Sequence, residues 1–112
     1  MKAIVVTEDD LRRLERQFGP GVRHMGPWYS DGTFGYLSVP LAGVEKAVEA
    51  SANSGLAAAL DRIRETPDPS GVFIESLQTF GAPLIDRIVA AYRERSLPPQ
   101  MARSSAAGSR AA

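Results

Sequence analysis

A turn signal, Asp31-Gly32, separates two β-favouring stretches, residues 22–30 and residues 33–39. Asp-Gly is typical of a type I′ turn, because both central residues of that turn need a positive φ. A two-residue loop of this kind would pair Ser30 with Thr33 across two antiparallel strands. This hairpin constrains the fold more than any other feature, because it requires a sheet whose side chains alternate between two faces.

Alternation along the second hairpin strand divides its side chains between those two faces. One face holds Leu37, Val39 and Leu41, and the other holds Phe34, Tyr36 and Ser38. The first hairpin strand contains Pro27, which lacks the backbone N–H needed inside a sheet, so this strand is a predicted edge. The hairpin therefore has one aliphatic face that needs covering and one aromatic face.

The run Ala3-Ile4-Val5-Val6 predicts a buried strand that leads directly into a helix. Thr7 is a predicted N-cap, and Gly19-Pro20-Gly21 ends the helix. Charged residues four apart, Glu8 with Arg12 and Asp9 with Arg13, are expected to form ion pairs along it. The predicted buried stripe of this helix consists of Leu11, Leu14 and Phe18.

The sequence of the second half of the chain predicts further helices. Residues 43–65 have helical periodicity that is interrupted at Asn53-Ser54-Gly55. Residues 69–80 allow two interpretations: Val72-Phe73-Ile74 forms a fourth strand, or Asp68 caps a helix. Three contiguous strand-formers favour the strand narrowly. Pro83 opens a last helix, whose predicted apolar stripe is Leu84, Ile85, Ile88, Val89 and Tyr92.

The resulting order is βαββαβ followed by a terminal helix. This order predicts an α+β fold of the ferredoxin-like type with an additional C-terminal helix. Its 112 residues suit a single domain, which we assign to residues 1–95. Residues 96–112 hold too few bulky apolar side chains to form a core and predict a disordered tail.

Composition excludes several classes of function. Thirteen Lys and Arg residues balance thirteen Asp and Glu residues, which argues against a duplex DNA or anionic membrane partner. The absence of Cys and the single His exclude disulfides, thiolate sites and His-pair metal motifs, so we expect no metal and no cofactor. The sequence also lacks long apolar runs, so we expect no membrane span and no signal peptide. A cytoplasmic protein is therefore the default expectation.

Three segments resemble the RNA recognition motif (RRM) family. Residues 10–19 look like its first helix, and residues 44–50 resemble its second helix. The stretch Phe34-Gly35-Tyr36-Leu37-Ser38-Val39 is similar to the core of the family's third-strand motif. The resemblance implies that Phe34 and Tyr36 stack on the bases of single-stranded RNA.

Two features of the sequence bear on that implied platform. The first strand offers Ile4 where the family places a stacking aromatic side chain. The terminal helix has an apolar stripe that needs a partner, and the open face of the sheet is a surface that it can cover. Docking there would remove the platform.

No group of residues has the pattern of a catalytic site. His24, Tyr29 and Asp31 lack a nucleophile motif or a phosphate-binding loop beside them. The acidic residues 8–10 suit the first turn of a helix, where they complement the helix dipole, better than they suit a metal site. An enzyme that uses His24 or Tyr29 in a dimer cleft is therefore only a third hypothesis.

The leading hypothesis is a small non-catalytic binding module of a regulatory or inhibitor type. It would bind a protein partner or a second copy of itself through an interaction face made of Phe34, Tyr36, Trp28 and Tyr29. The alternative is a single-stranded RNA-binding protein of the RRM type that acts through Phe34 and Tyr36.

Overall fold

A computed structural model describes residues 2–96, and the predicted tail lies almost entirely outside this range. Within it, the chain forms one three-stranded antiparallel sheet in the order β1-β3-β2, five α-helices and one 3₁₀ helix. The elements are β1 Ala3–Thr7, α1 Glu8–Phe18, the 3₁₀ helix Pro20–Met25, β2 Trp28–Ser30, β3 Gly35–Pro40, α2 Leu41–Ser51, α3 Ser54–Glu65, α4 Pro69–Phe80 and α5 Ala82–Ser96.

The central strand, β3, divides the sheet into an inner and an outer face. In the β1–β3 register Ile4 lies opposite Val39 and Val6 lies opposite Leu37, and all four side chains are fully buried. We call their side the inner face, since the helices pack against it. The strand positions of the outer face are Ala3, Val5, Thr7, Tyr29, Tyr36, Ser38 and Pro40.

The predicted strand and helix over residues 3–18 are confirmed. The hydroxyl of Thr7 accepts the backbone N–H of Asp10 at 3.4 Å, which caps α1. Arg12 pairs with Glu8 at 2.6 Å, as its spacing predicts. The second predicted pair is wrong, because Arg13 binds Asp10, three residues away, instead of Asp9.

The hairpin is confirmed, but its predicted register is wrong. Ser30 lies opposite Gly35 instead of Thr33, and Asp31 N donates to Phe34 O at 3.3 Å. The turn is therefore centred on Gly32, whose φ of +91° suits glycine, and on Thr33. This register differs from the predicted one by two residues, so each side chain keeps its face.

The predicted fourth strand, and with it the ferredoxin-like fold, is wrong: residues 69–80 form the helix α4. The Asp68 side chain accepts the backbone N–H of Gly71 at 3.3 Å and caps this helix. Phe73 and Leu77, four residues apart, are both buried in the core. Helical spacing of the large apolar side chains thus outweighs the β-propensity of three contiguous residues.

The start of the predicted hairpin strand is also wrong, because residues 20–25 form the 3₁₀ helix. Val22 and Met25 are three residues apart, which is one turn of a 3₁₀ helix, so both side chains lie on the same side and are buried in the core. His24 is exposed on this 3₁₀ helix, although the predicted strand over residues 22–30 includes it. Only Trp28–Ser30 remains as strand β2.

The terminal helix packs beside α2 and not on the outer face. α5 contacts α2, the 3₁₀ helix and α4, and its residues Leu84, Ile85 and Ile88 are buried. Arg87 Nη1 donates to Ala50 O at 2.7 Å near the C-terminal end of α2. Residues 41–65 are helical with the predicted interruption at Asn53, whose side chain caps α3. The outer face is thereby left without a covering helix within residues 2–96.

Gly26 is required where the 3₁₀ helix meets β2. A methyl group at this position would lie inside van der Waals contact of the backbone oxygen of Ser38. We expect Gly26→Ala to lower the free energy of unfolding by about 1–3 kcal/mol, because the backbone of β3 must shift to admit the methyl. Urea unfolding measures this change.

The matched control is Gly21→Ala, because no atom lies within 4 Å of the methyl group it adds. Its free energy of unfolding should stay within about 0.5 kcal/mol of the wild-type value. Equal effects of the two substitutions would contradict the close approach of Gly26 to β3.

Candidate functional site

Two tyrosines form the centre of the outer face. Tyr29 and Tyr36 lie directly opposite each other on β2 and β3, and their ring centroids are 5.6 Å apart. Aromatic rings at this separation attract each other beyond their area of contact. Even so, half of the Tyr29 surface, 51%, remains exposed. The pair is therefore an ordered surface that a partner can still reach.

Phe34 extends this surface at the end of β3, and it is the most exposed large apolar residue of residues 2–96, at 64%. It lines a shallow cavity of about 230 Å³ between the sheet and the start of α1. The cavity is lined by Val5, Thr7, Glu8, Asp9, Phe34, Gly35 and Tyr36. The side chains of Phe34 and Tyr36 thus share one face, as the strand alternation predicts.

Trp28 lies apart from the other three residues of the predicted interaction face. It is opposite Leu37, so its side chain is on the inner side of the sheet, where the indole lies against Gly35. The Arg23 guanidinium stands 5.5 Å from the ring centroid and is itself held by Glu15 at 2.6 Å. The indole therefore covers the end of the sheet, although 39% of Trp28 remains exposed.

The hairpin turn is held by the carboxylate of Asp31. Its Oδ1 accepts the backbone N–H groups of Thr33 at 2.8 Å and Phe34 at 3.1 Å. These N–H donors, Phe34 first, hold the pKa of Asp31 below its usual value because they stabilise the charged form. The turn thus fixes the backbone of Phe34 at the rim of the outer face.

The charged side chains that line the cavity beside Phe34 are acidic. Of the strand positions on the outer face, none holds Lys or Arg. The cavity beside Phe34 is lined by two carboxylates, Glu8 and Asp9, and by no basic side chain. Glu8 is neutralised by Arg12, but Asp9 forms no ion pair within the described part of the chain. At this cavity the aromatic surface is therefore bordered by acidic groups.

The residues considered for catalysis are not brought together. His24 is exposed on the 3₁₀ helix, and Asp31 is engaged in the turn. Two further shallow cavities, of about 220 Å³ and 160 Å³, lie among the helices, and neither is lined by His24. Among residues 2–96 no three His, Asp or Glu side chains are grouped closely enough to hold a metal ion.

Sequence reasoning missed Val5 as a part of this surface. The apolar run over residues 3–6 predicts a buried strand, whereas Val5 is 43% exposed. The signal was present in the hairpin, since an antiparallel sheet with one aromatic and one aliphatic face commonly covers only one of them. From the sequence, Glu8 and Asp9 are expected to complement the dipole of α1, and their place at this cavity is a finding of the structure.

No family model, curated protein or solved structure matches this chain. The resemblance to the RRM family therefore stays a prediction. Within residues 2–96, no helix has both the length and the apolar composition needed to cross a bilayer.

Trp28 and Phe34 should differ in what they do for stability. Replacing Trp28 by Ala uncovers Gly35 and removes the stacking of Arg23, so we expect a loss of about 1–3 kcal/mol in the free energy of unfolding. Phe34→Ala removes a side chain that is mostly in water and should change it by less than about 0.5 kcal/mol. Urea unfolding of both variants checks the difference, and a larger loss for Phe34→Ala would contradict this assignment.

The turn should contribute a pH-dependent part of stability. Because the pKa of Asp31 is lower in the folded chain, its contribution is present above the unfolded value of about 4 and is lost as the pH falls through the folded pKa. Asp31→Asn has no such titration. We expect the gap in urea midpoint between wild type and Asp31→Asn to shrink as the pH is lowered below about 4. A gap that stays constant from pH 7 to pH 2 would contradict this role.

Proposed function

We propose that this protein is a small non-catalytic binding module of a regulatory or inhibitor type. Its outer face docks a partner protein whose surface combines apolar and basic side chains. The single observation that carries the proposal is Phe34, which is 64% exposed beside an open cavity while its backbone is held in place by Asp31. An exposed aromatic group on an ordered backbone costs little entropy to bind.

The apolar and aromatic side chains of the outer face indicate that the partner has an apolar surface. Val5, Tyr29, Phe34 and Tyr36 stand on three neighbouring segments of the sheet, and helices of the described chain do not cover them. Covering one such side chain contributes about 1.5–3 kcal/mol when the burial is complete. A few well-placed aromatic groups of this kind dominate the free energy of a typical protein interface.

The basic part of the partner is indicated by the carboxylates at the rim. Asp9 lies at the cavity, and the Asp31 carboxylate lies close to Phe34, whose backbone N–H it accepts at 3.1 Å. A Lys or Arg side chain can meet these carboxylates and also an aromatic ring face. The same charges oppose the phosphate backbone of RNA, which needs basic groups along its path. These observations favour a protein partner over single-stranded RNA.

Regulation or inhibition would follow from masking the partner's surface, because the proposal assigns no reaction to this chain. The cytoplasmic location expected from the sequence stays a prediction.

The proposal is tested by selecting binders from a displayed library of random 12-residue peptides. We expect the selected peptides to be rich in apolar residues and in Lys or Arg. Their affinity, measured by fluorescence anisotropy, should fall about tenfold or more in the double variant Phe34→Ser/Tyr36→Ser. The control is Gln78→Ala/Thr79→Ala, two exposed residues of α4, which should bind as the wild type does.

Circular dichroism establishes that both double variants are folded. Equal peptide affinity of the two double variants, or a preference for acidic peptides, would contradict the proposal. A second titration uses a mixed-sequence single-stranded RNA pool at low and physiological salt. RNA binding that only the Phe34→Ser/Tyr36→Ser variant loses would instead establish the RRM-type alternative.

A further inference from the structure

The two edges of the sheet differ in whether another part of the described chain covers them. At the β1 edge, the hydroxyl of Ser70 at the start of α4 donates to the carbonyl oxygen of Val5 at 2.6 Å, and α4 contacts the strand. At the other edge, β2 pairs only with β3 among the described residues. All three residues of β2, Trp28, Tyr29 and Ser30, are exposed. An edge of this kind, without a charged side chain or a covering element, is open to the addition of another strand.

The hydrogen-bonding direction of β2 follows from its ladder with β3. Ser38 N donates to Pro27 O at 2.9 Å, and Asp31 N donates to Phe34 O at 3.3 Å. Odd-numbered residues of β2 therefore bond to β3, because the bonded pairs of an antiparallel ladder alternate. The N–H and C=O groups of Trp28 and Ser30 consequently point away from β3, towards the open edge.

We propose that β2 pairs antiparallel with β2 of a second copy of this chain, so that two sheets join into one of six strands. One register uses every outward group: Trp28 lies opposite Ser30 of the second copy, and Ser30 lies opposite its Trp28. These two pairs exchange four hydrogen bonds. The two-fold axis then passes between the two Tyr29 residues, and the pairing is self-complementary, as a two-fold interface requires.

The side chains brought together by this register are compatible. Each large Trp28 faces a small Ser30, and the two Tyr29 rings meet on the outer face as a cross-strand aromatic pair. None of the residues of β2 is charged, and the chain carries thirteen basic and thirteen acidic residues, so two copies do not repel each other through net charge. These features favour a second copy over a partner of another sequence at this edge.

The dimer joins two outer faces without covering them. Tyr36, Tyr29 and their two counterparts form a row across the middle of the six-stranded sheet, because directly opposed residues of a sheet point to the same side. The proposed binding face is thereby doubled. Since each β2 has only three residues, the buried area is small, and we expect a weak dimer that forms at high concentration.

The test uses single cysteines, because the natural chain has none. Opposed residues at a non-hydrogen-bonded pair have Cα atoms about 4.5 Å apart, within the range of a disulfide, so Tyr29→Cys should link two chains on mild oxidation. In the same register two Ser30 residues are offset, with Cα atoms about 8–9 Å apart. Ser30→Cys is therefore the matched control and should form the linked dimer at least about tenfold more slowly.

Sedimentation equilibrium of the wild type accompanies the cysteine experiment. We expect the average mass to rise with concentration towards twice that of one chain. Tyr29→Lys and Tyr29→Glu should each stay monomeric, since two like charges would meet at the two-fold axis, and an equal mixture of the two should dimerise again. Circular dichroism establishes that these variants are folded.

Three results would overturn the proposal: equal rates of linking for the two cysteine variants, no linking of either variant, or a wild type that stays monomeric at millimolar concentration. Because neither measurement involves a partner, these results leave the proposed docking of a basic protein to be judged by its own experiment.

Discussion

The alternation of side chains along β3 is the constraint on which the rest of the structure depends. Two of its odd-numbered residues, Leu37 and Val39, are fully buried and lie opposite Val6 and Ile4 across the ladder. Transfer of these four side chains out of water fixes which face of the sheet the helices must cover, since a shift by one residue would turn all of them to solvent. The same alternation leaves Tyr36 on the other face, so the core and the aromatic surface arise from one pattern.

Once the inner face is covered, the two sheet edges decide what the molecule presents to its surroundings. α4 closes the β1 edge through Ser70, in the region where a further strand would otherwise extend the sheet. At the other end, the short 3₁₀ helix and the close approach of Gly26 to Ser38 leave only three residues for β2. Trp28 and Arg23 cover the inner side of that short strand, but nothing in the described chain pairs with its outer edge. Residues 2–96 therefore leave one face and one edge of the sheet open, and the two meet at Tyr29.

The parts of the fold that follow from local signals could be predicted from the sequence. Thr7 caps α1 because its side chain bonds a backbone N–H three residues on, and Asn53 divides the long helical stretch for the same reason. The fourth strand was wrong because a run such as Val72-Phe73-Ile74 suits a strand and a buried helix equally. The helix is favoured by the four-residue spacing of Phe73 and Leu77, which buries both side chains, and by the position of α4 beside β1. The second of these is a property of the tertiary structure.

Of the predicted interaction face, the structure brings Phe34, Tyr36 and Tyr29 together on one side and places Trp28 on the other. The difference was open to prediction, because alternation already set Trp28 on the same side as Leu37 in either hairpin register. Grouping the four aromatic residues by proximity in sequence ignored that parity. The acidic rim, in contrast, could not be foreseen, since it depends on how the start of α1 meets the turn that holds Phe34. That meeting places carboxylates beside the aromatic face. Stacking residues alone suit a base or an apolar side chain equally, so the proposed preference for a basic protein partner depends on these neighbouring charges.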